Sequence, residues 1–271
     1  MRSLRFAIIA FVAIVGLTMV PARFLRTAGI EARPAPDTGL RTPVLIELFT
    51  SEGCSDCPPA DALLQKLDAS QPVPNAEAVV LSEHVNYWDD DGWRDPYSLQ
   101  DVTTRQGDYA SHLRLSSPYT PQMVIDGQKE FVGSDGRKAL QAIETEAQVQ
   151  KTPVSLSAIQ LEGGDTLAVH VESSPVASPK SADVFLALAD DSDQSNVRRG
   201  ENAGRVLTHV AVVRTLSKVG TIDHGGAFSK DLKLSIANTN HGNLRIVAFI
   251  QETGTGRVVG VGSARFSNSG K

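Results

Sequence analysis

The chain has 271 residues, 41% of them apolar and 21% charged, with a formal net charge of −5. That length fits one large domain or two ordinary ones, and the apolar share is enough to build cores. No long basic block occurs, which argues against a nucleic-acid partner.

The N-terminus reads as an export signal. Arg2 and Arg5 are followed by an uncharged, mostly apolar stretch from Phe6 to Val20, and the small-residue stop Val20-Pro21-Ala22 closes it. A run of about 15 residues is within the range of a signal peptide and shorter than the ~20 that span a bilayer. The expectation is a signal peptide over residues 1–22, with an uncleaved anchor as the alternative and the only membrane contact. Residues 23–42 read as a tether. Export places the chain in the periplasm or a similar oxidising compartment, where two cysteines become a disulfide unless a reductant attends to them.

Pro43 to Phe49 reads as a buried strand with Glu47 inside it. Asp56 to Leu67 carries Ala60, Leu63, Leu64 and Leu67 at the spacing of an amphipathic helix, and Pro58 and Pro59 suit its first turn. Ala78 to Val85 reads as a second strand. An aromatic and acidic loop, Asn86 to Pro96, follows it, then a helix over Ser98 to Leu113. Gln122–Ile125 and Lys129–Val132 flank an Asp126-Gly127 turn, a hairpin signature. Ser134-Asp135 caps a helix running to about Val149. Beyond Pro153 the pattern predicts seven short strands, at Val154–Leu161, Leu167–Glu172, Val184–Ala189, Arg205–Leu216, Phe228–Ile236, Leu244–Gln251 and Arg257–Phe266. Glycine pairs and Asp190-Asp191 mark the breaks. Strands without helices argue for an all-β antiparallel sandwich over residues 153–271, after an α/β domain over residues 43–152.

The only two cysteines, Cys54 and Cys57, are three residues apart between the first strand and the first helix. Two thiols in the first turn of a helix are close enough to bond, and the helix N-terminus favours the thiolate. Cys54, nearer the exposed end, would attack; Cys57 would resolve the mixed disulfide. The alternative is a structural staple. Closing so short a loop removes only about 2 kcal/mol of chain entropy, so a staple is the weaker reading. Asp56 between the cysteines, with Glu52 and Asp61 nearby, raises a thiol pKa and opposes the helix dipole. The expected chemistry is therefore that of a reductant, thiol relay or narrow-substrate exchanger, acting on protein or small-molecule thiols and disulfides without a cofactor.

The arrangement around the cysteines resembles the thioredoxin-like fold. The resemblance implies that Glu47 accepts a proton from the resolving thiol, although it stands one residue farther from Cys54 than in thioredoxin. It also implies that Thr120-Pro121 is a cis-proline loop facing the dithiol, with Pro121 shaping a substrate groove. At family level, residues 47–61, His84-Val85-Asn86-Tyr87-Trp88-Asp89, Gly92-Trp93-Arg94-Asp95, Tyr119-Thr120-Pro121-Gln122-Met123 and Arg199-Gly200-Glu201-Asn202 resemble the exported bacterial family DUF1223. That likeness covers nearly the whole mature chain and leaves the substrate open.

Three further readings stand beside the dithiol. Cys54, Cys57 and His84 together form a ligand set suited to Cu(I) or Zn(II), which would make the chain a periplasmic copper carrier. Tyr87, Trp88, Trp93 and Tyr97, with four aspartates, form either a ligand-gripping rim or a hydrophobic lid. Arg198, Arg199, Glu201, Asn202, Arg205 and His209 form a polar cluster that braces an interface or lines a binding edge. A non-catalytic binding module with a permanent disulfide completes the alternatives.

Overall fold

The computed structural model describes residues 41–177, 181–240 and 243–267. The expected export segment, and the tether up to residue 40, lie outside these residues; Thr42 already opens the first strand. Among the described residues no helix is long and apolar enough to cross a membrane.

The first half runs β1 (Thr42–Thr50), α1 (Pro58–Ser70), β2 (Ala76–His84), α2 (Gln100–His112), the hairpin β3 (Gln122–Ile125) and β4 (Lys129–Val132), and α3 (Gly136–Glu146). The second half runs β5 (Val154–Leu161), β6 (Thr166–Ser173), β7 (Ala182–Asn196), β8 (Val206–Ile222), β9 (Phe228–Ser235), β10 (Asn243–Glu252) and β11 (Val258–Ser267). Asp190 and Asp191 do not break a strand as expected; they lie inside β7, where Asp191 pairs with Arg245 at 2.6 Å and with Arg265 at 3.0 Å.

The expected division into a thioredoxin-like α/β domain and a separate all-β sandwich does not hold. One mixed eight-stranded sheet, in the order β11-β10-β7-β8-β2-β1-β3-β4, passes through both halves. Only β5, β6 and β9 stand apart, as a three-stranded sheet. The join is parallel, β2 meeting β8 at Ser82 and Val212. Burial explains it. All of β2 but Glu77 is buried, while β1 occupies one of its edges. The other edge would leave unpaired N–H and C=O groups inside the protein. The long β7–β8 hairpin supplies the missing neighbour.

β7 and β10 read as continuous apolar runs because both of their faces are covered, as in a sheet buried between layers. Val184, Leu186, Leu188, Ile246, Ala248 and Ile250 pack with Leu167, Val169 and Val171 of the small sheet. Their alternate residues Ala187, Ala189, Val247 and Phe249 join the core of the first half. The 126–128 turn reaches β11, with the Val258 amide donating to the Asp126 carbonyl at 3.0 Å.

The β1–β2 pair carries opposite chemistry on its two faces. Glu47, Phe49, Leu81 and Glu83 alternate with Leu48, Thr50, Ser82 and His84, and side chains two apart share a face. On the first face Glu47 pairs with the Arg105 guanidinium and accepts from the Tyr109 hydroxyl at 2.5 Å. Arg105 is covered by the rings of Tyr109 and Phe249, each 4.8 Å away. Burial first, and the neighbouring Glu47 second, push the Glu83 carboxyl well above its ordinary pKa, against the pull of Arg105. Asp126 is pushed up to about 6 by burial, with Lys151 opposing.

A carboxyl whose pKa rises on folding stabilises the fold when protonated, and that contribution is lost as pH climbs from the unfolded to the folded value. The urea midpoint is therefore expected to fall as pH rises above about 4.5, each such group adding a slope of at most about 1.4 kcal/mol per pH unit. Glu83→Gln should flatten that fall; equal slopes in the two proteins would contradict the assignment to Glu83.

Candidate functional site

β1 delivers the chain to the dithiol turn. Its last residue, Thr50, is fully buried, and Ser51 to Cys57 then fold back on themselves. The Cys54 amide donates to the Ser51 carbonyl at 3.2 Å, and the Cys57 amide to the Cys54 carbonyl at 3.2 Å. α1 begins at Pro58 with Cys57 as its N-cap. Cys54 and Cys57 are joined in a disulfide, their Cα atoms 5.4 Å apart.

The disulfide is covered. Cys54 is 2% exposed and Cys57 is 0% exposed, while Ser55 and Asp56 between them face solvent. The exposed attacking sulfur expected from the sequence is thus not the state seen. Two elements make the cover. Asn202, fully buried, donates through Nδ2 to the carbonyls of Glu52 at 2.9 Å and Cys54 at 2.8 Å. Beside it, Glu201 accepts from the Ser55 amide at 3.0 Å, and Arg205 donates to Asn202 Oδ1 at 2.9 Å. From the other side Trp88 presses on Gly53, where an added Cβ would meet the Trp88 Cβ at 3.0 Å. The Trp88 indole donates to Thr120 Oγ1 at 2.8 Å.

The prolines at the helix start alter the thiolate argument. Pro58 and Pro59 remove two of the N–H groups that would otherwise point at a sulfur anion, and the Cys57 amide already serves the Cys54 carbonyl. The helix dipole remains, but little hydrogen bonding accompanies it.

A buried polar cluster lies beneath the turn. Glu52, at 0% exposure, receives the Trp93 indole N–H at 2.7 Å and the Ser195 hydroxyl, and its Oε1 lies 3.3 Å from His209 Nε2. The Glu52 amide donates to Asp95 Oδ2 at 2.8 Å. The same oxygen takes His84 Nδ1 at 2.7 Å, while His84 Nε2 meets Ser82 Oγ at 3.2 Å. The two imidazoles stand edge to face, 4.7 Å between centroids. Asp61, in the first turn of α1, accepts from Thr50 Oγ1 at 2.9 Å.

These contacts set the protonation states. Burial opposes charge on His84, but the attraction and hydrogen bond of Asp95, helped by Asp61 and Glu52, hold its pKa above the ordinary value. Asp95 is the mirror case: burial would raise it, and His84 with the Glu52 and Tyr97 amides brings it below the carboxylate range. Asp61 stays raised because burial exceeds the combined pull of His209, His84 and Thr50.

The site residues expected from the sequence separate on this geometry. Thr120-Pro121 is a cis peptide, and Pro121 sits beside α1, since a Cβ on Gly133 would touch both Pro121 and Ala60. Glu47 is on the opposite face of the sheet from α1, bound to Arg105 and Tyr109, so the structure does not bring it to Cys57. His84 is buried with both ring nitrogens engaged, and among the described residues no group of three His, Cys, Asp or Glu side chains is placed to hold a metal ion. The aromatic–acidic loop and the 198–209 cluster, read separately from the sequence, meet each other. Gly92 and Gly200, at φ 92° and 73°, approach so closely that a Cβ on Gly92 would lie 3.6 Å from the Gly200 Cα. Sequence reasoning passed over Glu52 and Asp61 as agents of the site, treating them only as charges near the thiols. Their burial beside two histidines carries no local sequence signal.

The segments that carry the family likeness converge here: the dithiol turn, the His84 and Trp93 stretches, the cis-proline loop and the 199–202 loop. The family described as "Protein of unknown function (DUF1223)" matches residues 45–251. The chain belongs to DUF1223. Among solved structures, a crystal structure of an Agrobacterium tumefaciens protein is 28% identical with a TM-score of 0.61, covering 85% of this chain and 97% of that one. HBP35 of Porphyromonas gingivalis gives a TM-score of 0.59 at 12% identity, over 83% of this chain and 75% of its own, which is likeness of fold alone. No curated protein matches the chain.

Asn202→Ala should leave the buried Glu52 carbonyl without its donor and the Cys54 carbonyl with the Cys57 amide alone, a loss of about 1–3 kcal/mol in stability. It should also speed reduction of the disulfide by dithiothreitol in the folded protein by roughly tenfold, for a cover weakened by about 1.4 kcal/mol. An unchanged reduction rate in a destabilised variant would show that Asn202 does not close the site.

Proposed function

We propose that this DUF1223 protein exchanges thiols and disulfides at Cys54–Cys57 in an exported, oxidising compartment. The observation that carries the reading is the Cys54–Cys57 bond itself, closed across one turn at the start of α1 and enclosed by the segments that carry the family likeness. Cys54 is the attacking sulfur because it precedes the helix and lies against the Trp88 and Asn202 cover; Cys57, fully buried at the N-cap, resolves. The partners are protein or small-molecule thiols and disulfides. A partner must displace Trp88 or the Glu201–Asn202 loop to reach Cys54, so the substrate range is narrow. The apolar N-terminus supports export.

The burial of both sulfurs favours a second reading, a non-catalytic module with a permanent disulfide. The reduction potential separates the two: exchange proteins fall between about −120 and −270 mV, and structural disulfides below about −300 mV. A value within the exchange range, toward its reducing end near about −270 mV, is expected here. Cys54→Ser should abolish insulin disulfide reduction, and Cys57→Ser should accumulate mixed disulfides at Cys54. Equal turnover by wild type and Cys54→Ser would end the exchange reading.

A further inference from the structure

Disulfide exchange moves a proton as well as electrons, and the resolving thiol is the buried one. Cys57 is 0% exposed, so bulk water is a poor acceptor for its proton, and Glu47 is on the wrong face of the sheet. Asp61 is the acid one helical turn along. Its amide donates to the Cys57 carbonyl at 3.1 Å, the i to i+4 relation that stacks two side chains on one helix face. It is itself only 5% exposed, with one oxygen held by Thr50 Oγ1 at 2.9 Å.

An independent observation concerns His209. Its Nε2 lies 3.3 Å from Glu52 Oε1, which leaves Nδ1 facing the other way. Nδ1 is buried and makes no hydrogen bond among the described residues, and 3.9 Å away stands Asp61 Oδ2. Asp61 thus has one oxygen fixed by Thr50 and the other beside an imidazole nitrogen that has no hydrogen-bond partner among the described residues.

We infer that Asp61 takes the Cys57 proton when the disulfide closes and returns it when the disulfide opens. This rests on the exchange reading and names its acid–base group. In closure, a mixed disulfide joins Cys54 to a substrate sulfur. Asp61 carboxylate accepts the Cys57 proton, and the Cys57 thiolate attacks the Cys54 sulfur. The Cys54–Cys57 bond forms, the bond from Cys54 to the substrate sulfur breaks, and the substrate leaves as a thiolate that is protonated by water. The substrate disulfide is the oxidant, reduced by two electrons in all, while the dithiol is oxidised. Opening is the reverse, with Asp61 as the acid. The groups facing Asp61 are Thr50 from β1, His84 from β2, His209 from β8, and Asp95 from the loop after β2. Burial keeps Asp61 above the ordinary carboxylate value against the attraction of His209 and His84, which matches it better to a thiol.

The test uses the reduced full-length protein with oxidised glutathione as the disulfide. In Asp61→Asn the mixed disulfide at Cys54 should form as in wild type but resolve at least tenfold more slowly near pH 6. The gap should narrow at alkaline pH, where hydroxide can take the Cys57 proton in place of Asp61. Mixed disulfide that resolves equally fast in both proteins at every pH would overturn the role of Asp61 while leaving exchange intact. No mixed disulfide even in Cys57→Ser would overturn exchange and this inference together. Should Asp61→Asn fail to fold, the Asp61 carboxyl carbon can be titrated by NMR in wild type. A second inflection at the Cys57 pKa, present in the reduced protein and absent in the oxidised one, is expected; superimposable curves would overturn the inference.

Discussion

Glu52 ties the molecule together at the dithiol. Its carbonyl is held by Asn202 at 2.9 Å and its amide by Asp95 at 2.8 Å. Its carboxylate takes the Trp93 indole at 2.7 Å, the Ser195 hydroxyl and His209. These partners come from the turn after β2 and from both strands of the β7–β8 hairpin and its connection, so one residue fastens the dithiol turn to elements more than 140 positions away. A buried carboxylate is tolerated only when its lone pairs are occupied; Trp93, Ser195 and His209 occupy those of Glu52, while Asn202 ties the Glu52 carbonyl to that of Cys54 and so joins the cluster to the cover. The cover and the charge cluster are thus a single device: loosening either one loosens the other.

The same logic runs through the β1–β2 pair. Its two faces each enclose acids, but they solve the problem of buried charge differently. Glu47 is neutralised by Arg105 under two aromatic rings, a fixed ion pair in which losing one partner strands the other. Beneath the dithiol, Glu52, Asp61 and Asp95 share two imidazoles and several hydroxyl and amide donors with no arginine or lysine among the contacts described. Imidazoles and carboxylic acids can gain and lose protons near neutral pH, whereas guanidinium cannot. One face is therefore anchored by a permanent ion pair with Glu83 as its titratable member, and the other is a set of groups able to exchange protons.

Much of this was legible in the sequence, and the reason for each failure is specific. The strands and helices announced themselves through periodicity, because burial of one face imposes it. The Cys54–Cys57 bond was legible because two thiols at that spacing are close enough to join. The cis peptide before Pro121 came from resemblance alone. The shared sheet was not legible: β2 and β8 are joined at Ser82 and Val212, residues 130 apart, and a strand's sequence records that both its edges are taken but not by whom. The reading of β2 as a strand of a self-contained α/β unit failed for that reason. Glu47 was misassigned by one-residue arithmetic, since in a strand a shift of one reverses the face. Arg198 to His209 reads as one polar cluster, but only the fold shows that Asn202 closes over Cys54 and that His209 meets Glu52 beneath it.

The surroundings of the dithiol also bear on the direction of exchange. A disulfide is a strong oxidant when its reduced form is stabilised, chiefly by a stabilised thiolate. Here that stabilisation is thin. Pro58 and Pro59 withdraw two amide donors from the helix start, the Cys57 amide is occupied, and Asp56 and Glu201 place negative charge on either side of the turn. Each of these favours the closed disulfide over the open thiolate. In the exchange reading the bond then tends to stay closed, and a dithiol that gains by closing gives its electrons away. Within the proposed exchange reading, the surroundings of Cys54 and Cys57 favour a reductant, and the cover decides which disulfide receives the electrons.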